Sequence, residues 1–220
     1  MEEGSLHRSP PLSARNAASR ARREAVVVAA KSVFFEEGYQ LASMDQIAER
    51  AGTTKRTLYD YFGSKEALFT EVIAHASKNF VEALPRPEDL LRDPRQGLRK
   101  FASQVRWLVS AEEAIRFERT VIAEAERHPE FGCGLYATGV FGAEKILATY
   151  IDSQIAAGRL RPHDSRLTSQ IIVDIATNSA LRRLFAAQDE ESDQLASGAL
   201  DEAIDLLIRN YSVDSNEKRK

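Results

Sequence analysis

The segment Lys55-Arg56-Thr57-Leu58-Tyr59-Asp60-Tyr61-Phe62 concentrates two cations, hydroxyls and aromatic rings within two helical turns. At about 100° per residue, Leu58, Tyr61 and Phe62 gather on one side and Arg56, Tyr59 and Asp60 on the other, with Lys55 at the border. One face can pack and the other can read. Arg56 can bridge the O6 and N7 acceptors of a guanine, worth about 1–3 kcal/mol of discrimination in good geometry. The Thr57 methyl and the Tyr59 ring suit thymine methyls, while Asp60 can orient a nearby arginine or accept from cytosine. The hydroxyls of Ser43, Thr53, Thr54 and Tyr61, with the Lys65 ammonium, suit phosphate oxygens, which position a protein on a duplex without specifying sequence.

Those side chains need a frame, and the flanking sequence provides one. A first helix is expected from about Ala18 to Glu37, with Val26, Val27, Ala30, Val33 and Phe34 as its apolar stripe and Gly38 as its stop. Ser43 opens a short second helix as the first half of a capping box completed by Gln46. Its N-terminus carries a positive dipole end suited to phosphate. Ile47 and Ala51 face inward and Gly52 ends the helix. The reading helix spans Lys55 to about Phe62, and Gly63-Ser64 breaks it. Ser64 caps a fourth helix to about Phe80, without the reciprocal partner of a full capping box, because Ala67 stands three residues on. Two short helices joined by a tight turn describe a helix-turn-helix.

Composition bounds the alternatives. The chain has 220 residues, 43% hydrophobic and 29% charged, a globular mixture with ample length for a core. A net charge of −3 argues against indiscriminate coating of nucleic acid. Basic residues are nevertheless localised: Gly4 to Arg23 holds no acid, while Arg8, Arg15, Arg20, Arg22 and Arg23 all fall there. Cys133 is the single cysteine, so no internal disulfide or multi-cysteine metal site exists. The four histidines lack paired ligand spacing, and no nucleophile elbow or phosphate loop occurs, so neither an enzyme nor a metal or cofactor is expected. Without a long apolar run or a signal-like N-terminus, the expected compartment is the cytoplasm, with the nucleoid when bound to DNA and no membrane contact.

Beyond Pro85, Pro87 and Pro94, which mark a loop and a boundary, the chain again reads as helices. Leu98, Phe101, Val105 and Leu108 keep helical spacing, as do Ile115, Glu118, Ile122 and Ala125. Pro129 interrupts. A long helix then runs from about Gly134 to Ala157, and final helices cover about Ser165–Ala187 and Asp193–Tyr211. Phe101, Trp107, Phe117, Phe131, Tyr136 and Phe141 are candidates to line a ligand pocket between helices, each more often a core residue than a contact. Glu118 and Glu124 suit a cationic ligand, although surface exposure is the commoner fate. Cys133 reads as a small buried hydrophobe.

The runs Phe34-Phe35-Glu36-Glu37-Gly38-Tyr39, Ser43-Met44-Asp45-Gln46-Ile47-Ala48, Ala51-Gly52-Thr53-Thr54-Lys55-Arg56-Thr57-Leu58-Tyr59-Asp60-Tyr61-Phe62 and Ser64-Lys65-Glu66-Ala67-Leu68-Phe69 together resemble the TetR family signature. The resemblance covers roughly residues 22–72 without gaps. It departs at Ala42, where threonine is frequent, and at Thr53, where a small apolar residue is frequent. A fainter likeness to AefR-like and AcrR-like C-terminal domains rests on Phe117-Glu118, Ala123 to Phe131, and Ala157-Gly158-Arg159-Leu160.

The resemblance implies an all-α protein: a three-helix helix-turn-helix DNA-binding domain joined to a larger helical ligand-binding and dimerisation domain. It implies DNA contacts at Ser43, Thr54, Lys55, Arg56, Tyr59, Tyr61 and Lys65. The expected organisation is a flexible basic arm over 1–18, the DNA-binding domain over 19–64, the ligand and dimer domain over 65–212, and a disordered tail over 213–220. Ile171, Ile175 and Leu184 on one helix, with Leu200, Ile204 and Leu207 on the next, are the expected homodimer interface. Partners are then double-stranded operator DNA, a second copy and a small-molecule effector that releases a repressor from a palindromic site. The competing reading is a helical interaction module without specific DNA binding.

Overall fold

The computed structural model describes residues 12–185 and 190–213. The remainder of the expected arm, residues 1–11, and the expected tail beyond 213 lie outside these described residues. The described chain is helical throughout, as expected. Its single β-type pairing is an isolated bridge between Leu160 and Ser212. Two compact units divide between Val72 and Ile73.

The first unit begins with α1, Leu12–Leu41, whose helical path is broken at Gly38 (φ 77°). The expected stop at Gly38 is therefore a kink, which glycine adopts without Cβ strain. The start is a correction. Residues 12–18 are helical rather than part of a flexible arm, because Ala14, Arg15, Ala17 and Ala18 are strong helix formers. Helix α2 (Met44–Arg50) and helix α3 (Lys55–Phe62) follow, then α4 (Lys65–Glu82). The core is built by Val26, Val27, Ala30, Val33 and Phe34 of α1 with Ile47, Leu58, Phe62, Leu68 and Phe69. Phe34 and Phe69 meet edge to face at 4.8 Å, and Tyr39 packs 5.0 Å from Phe69. These contacts explain why the boundary falls inside α4 rather than ahead of it at Ser64. The first two turns of α4 complete the core of the first unit.

The second unit contains the rest of α4 and a 3₁₀ turn at Pro87–Asp89. Helices α5 (Pro94–Val109), α6 (Glu112–Glu124), α7 (Pro129–Leu135), α8 (Phe141–Ala156), α9 (Ser165–Leu184) and α10 (Glu190–Tyr211) complete it. The expected long helix begins five residues early, at Pro129. Proline at the first helical position starts a helix, since its missing N–H would have been unpaired there. Between α7 and α8 the backbone forms a π segment over Tyr136–Val140. Helix α9 is central, packed by α5, α8 and α10. Leu98, Phe101, Val105, Leu147, Tyr150, Ile151, Ile172, Val173, Ala176, Leu200 and Ile204 form the core around it. The end of α10 is fastened to the α8–α9 turn: Arg161 N donates to Tyr211 O at 2.7 Å, and the His163 ring stacks on Tyr211 at 3.9 Å.

Close approach constrains Gly97. A Cβ on Gly97 would overlap the hydroxyl of Tyr150, which donates to Leu91 O at 2.8 Å. Gly97→Ala is expected to cost about 1–3 kcal/mol through overpacking, read as a lower urea midpoint. An unchanged midpoint would show that Tyr150 relaxes freely.

Candidate nucleic-acid interface

The local chemistry of α2 and α3 is set by their caps. Gln46 N donates to Ser43 Oγ at 3.2 Å while Ser43 N donates to Gln46 Oε1 at 2.8 Å, closing the expected capping box. Thr54 caps α3 from one side only, accepting from Thr57 N at 3.2 Å, and its hydroxyl lies 2.9 Å from that of Thr57. Between them the chain turns at Gly52 (φ 62°), with Thr53 N donating to Ala48 O at 2.9 Å. Ser43→Ala should cost about 1 kcal/mol of stability, checked by thermal unfolding, where no loss would mean the box is energetically idle.

Leu58 and Phe62 are buried, which fixes the rotation of α3. Arg56, Tyr59 and Asp60 are exposed on its opposite side, with Tyr59 at 45% relative accessibility. Arg56 and Tyr59 have no side-chain hydrogen-bond partner among the described residues. The structure therefore brings together the three residues that helical projection grouped.

The remaining sites are more engaged. Lys55 Nζ donates to Asp45 Oδ2 at 2.8 Å, and that hydrogen bond raises the lysine pKa. Tyr61 is half-buried with its ring edge-on to Phe62, 6.2 Å between centroids. Lys65 sits 4.5 Å over the Tyr39 ring and donates to Gln40 O at 3.4 Å, so its stem and head are already placed. Ser43, Thr53 and Thr57 are half-buried and Thr54 is exposed. Ala42 is buried, its N–H donating to Gly38 O at 3.2 Å.

Two ion pairs that sequence reasoning missed brace this frame. Arg23 reaches Glu71 at 2.8 Å and lies 4.8 Å over the Phe62 ring; the hydrogen bond lowers the Glu71 pKa. Arg50 contacts Glu36 at 2.6 and 2.8 Å, joining α2 to α1. Neither pair lies within one helix, so no i,i+4 pattern announces it.

The second unit treats its candidates differently. Phe101 and Phe131 are fully buried core residues, and Phe117 is 5% exposed. Trp107 is 67% exposed and therefore lines no interior cavity. Tyr136 and Phe141 form an edge-to-face pair at 5.0 Å and are both half-exposed. The six aromatics do not share a cavity. An open groove of about 440 Å³ lies elsewhere, on α9, lined by Asp174, Ile175, Thr177, Asn178, Leu181 and Leu184. Of the expected dimer residues, Ile171 is exposed and Ile175, Leu184 and Leu207 are half-buried. Leu200 and Ile204 are corrected to core positions, since that side of α10 packs against its own unit. Glu124 is buried and Glu118 half-buried, against the expected exposure, and burial pushes the Glu118 carboxyl up to about 7. Cys133 is exposed, not buried: it lies on the outer side of α7.

Fold and interface together define a helix-turn-helix transcriptional regulator. A family model described as bacterial regulatory proteins, tetR family, matches residues 26–72, and one described as AefR-like transcriptional repressor, C-terminal domain, matches residues 96–213. The chain belongs to the TetR family of transcriptional regulators, which are not enzymes. The transcriptional activator FasR of Mycolicibacterium smegmatis is 40% identical over 78 residues, 36% of each chain. The transcriptional repressor NicS of Pseudomonas putida is 37% identical over 81 residues, 37% of this chain and 38% of its own. These matches span little more than a third of either relative. The regulator UidR of Escherichia coli K12 is 27% identical over 158 residues, 70% of this chain and 76% of its own. A TetR-family regulator from Mesorhizobium loti superposes with a TM-score of 0.79 at 24% identity, covering 89% of this chain and 98% of its own. The flavonoid-responsive regulator FrrA does so with 0.69 at 26% identity, covering 89% and 99%. No described helix is long and apolar enough to cross a membrane.

Proposed function

We propose that this protein is a homodimeric, cytoplasmic repressor that reads a palindromic operator through α3 and is released by a small-molecule effector. One observation carries the DNA-reading half: Arg56 and Tyr59 stand exposed, with no side-chain hydrogen bond among the described residues, while Leu58 and Phe62 anchor the helix behind them. Arg56 reads guanine, Tyr59 and Thr57 meet thymine methyls, and Asp60 orients Arg56 or accepts from cytosine. Ser43, Thr53, Thr54, Lys55, Tyr61 and Lys65 hold phosphates. The sign of regulation is supported by NicS, named a repressor, and opposed by FasR, named an activator.

Release by an effector is supported by the AefR-like match over residues 96–213 and by the response named for FrrA. In that reading residues 19–72 act as the DNA-binding domain and the second unit as the effector and dimer domain. Binding of effector would weaken operator affinity by changing how two reading heads are held. Of the six aromatics, Phe117, Tyr136 and Phe141 remain the candidates for effector contact. The outer faces of α9 and α10 carry the dimer.

Nuclease footprinting on the DNA flanking the protein's own gene tests this reading. A palindromic operator gives two protected patches about one helical turn, roughly 34–36 Å, apart. A single unpaired patch would contradict the two-headed arrangement.

A further inference from the structure

Helix α1 begins well before its core does. Val26 is the first buried side chain described on it, and Ala17, Ala18, Ser19, Arg20, Ala21 and Arg22 ahead of it are all exposed. From Leu12 to Arg22 the helix rises about 16 Å. A helix this short is marginal alone, so the extension is propagated from the anchored part of α1 through good helix formers, alanine and arginine. Between Ser13 and Ala25 no apolar residue is larger than alanine. The extension therefore has no apolar face for a core, a membrane surface or another helix.

What it carries is charge, and on one side. Projected at about 100° per residue, Arg20, Arg22 and Arg23 fall within about 80° of the middle of the stripe formed by Val26, Val27, Ala30, Val33 and Phe34. Ala17, Ala18, Ala21 and Ala25 fall within about 60° of the opposite line, and Glu24 stands about 120° from the stripe. The arginines thus continue the apolar stripe of α1 as a basic one, while the alanines point away.

Arg23 shows what that side faces. Its guanidinium lies 4.8 Å over the ring of Phe62, the last residue of α3, and pairs with Glu71 of α4 at 2.8 Å. At the other end of α1, Glu36 is tied to Arg50 of α2, so residues before Arg23 lead away past the end of α3. Phe62 belongs to the packed side of α3, and Arg56, Tyr59 and Asp60 are exposed on its other side. Helix α3 therefore stands between α1 and whatever its reading side meets. One turn beyond Arg23 that cover has ended, and the basic stripe faces the same way as the reading side. Arg20 and Arg22 make no hydrogen bond or ion pair among the described residues.

We propose that the N-terminal extension of α1 is a second DNA-binding element, in which Arg20 and Arg22 hold phosphates of the duplex beside the segment that α3 reads. This rests on the reading role given to α3 above and adds a contact that positions without specifying sequence. A guanidinium suits it, being always charged and forked to match two phosphate oxygens. The charge balance agrees. At −3 the chain as a whole does not attract DNA, so attraction has to be local, and the acid-free run from Gly4 to Arg23 concentrates it here.

Anisotropy titrations of the full-length protein at several salt concentrations test the element, on DNA flanking its own gene and on a random duplex of equal length. Each phosphate contact contributes about 0.9 to the slope of log K against log salt. An Arg20→Ala/Arg22→Ala protein should therefore lose about 1.8 from that slope for each chain bound. Its affinity should fall at least about tenfold on both duplexes, with their ratio unchanged within about threefold. Alanine is the better helix former and both positions are exposed, so helical content should hold. Arg20→Lys/Arg22→Lys should keep the wild-type slope, since an ammonium also neutralises a phosphate. An alanine variant with the wild-type slope, or one that loses only its preference between the duplexes, would overturn the phosphate contact and leave the role of α3 standing. The random duplex keeps this readout independent of where the operator lies. A wild-type protein with no salt-dependent binding to either duplex would overturn both.

Discussion

Arg56→Ala should weaken operator binding at least about 30-fold while leaving thermal stability within about 0.5 kcal/mol of wild type. A bidentate arginine–guanine contact is worth about 1–3 kcal/mol, and a symmetric dimer loses it twice. The stability expectation follows from burial. Arg56 is exposed and makes no hydrogen bond within the described residues, so truncating it leaves nothing unsatisfied. Tyr59→Ala should behave alike with a smaller effect. Lys55→Ala is a less clean probe, because it also releases the Asp45 carboxylate from its 2.8 Å ion pair beside the duplex. Loss of base preference with retained non-specific binding is the signature of a reading residue, and uniform weakening that shallows the salt dependence marks a phosphate contact. Anisotropy titrations on operator and random duplex separate the two. An Arg56→Ala protein that binds its operator like wild type would remove α3 from the reading role.

The second large effect concerns Glu118. Burial raises its carboxyl from the ordinary 4.5 to about 7. The folded state thus holds a proton that the unfolded chain has released, and the associated stability is fully present below about pH 4.5 and lost as pH rises through 7. A shift of that size corresponds to about 3 kcal/mol. Glu118→Gln keeps the neutral shape at every pH. It should therefore raise the unfolding midpoint of the C-terminal unit by several degrees at pH 8 and change little at pH 4.5. Calorimetry of both proteins across that range checks the claim. An equal shift at both pH values would mean that the gain comes from packing rather than from the carboxyl charge.

The reading helix was legible because its determinants are local. Ser43 and Thr54 cap helices that start one residue later, Gly52 and Gly63 end them, and eight residues suffice to separate a packed face from an exposed one. The second unit was less legible because its apolar positions have two possible destinations. Leu200 and Ile204 lie on the same kind of stripe as Ile171, yet they meet their own core while Ile171 meets solvent. Spacing cannot tell these apart; which side of α10 meets α9 decides it. The aromatics follow the same logic, for Phe101 and Trp107 share α5 and end at opposite extremes of exposure. Pro129 was misleading in a different way, since proline both interrupts a helix and begins one, and here it begins α7. The π segment at 136–140 left no local signal, because its unwinding is a matter of how the joined helices pack.

The most direct test of the central claim is a titration of the full-length protein against the DNA flanking its own gene, in excess random duplex and at several salt concentrations. A sequence-reading regulator gives saturable, competitor-resistant binding that falls steeply with salt. Binding that random duplex abolishes at every candidate site, or that ignores salt, would contradict it and favour a helical interaction module without specific DNA recognition.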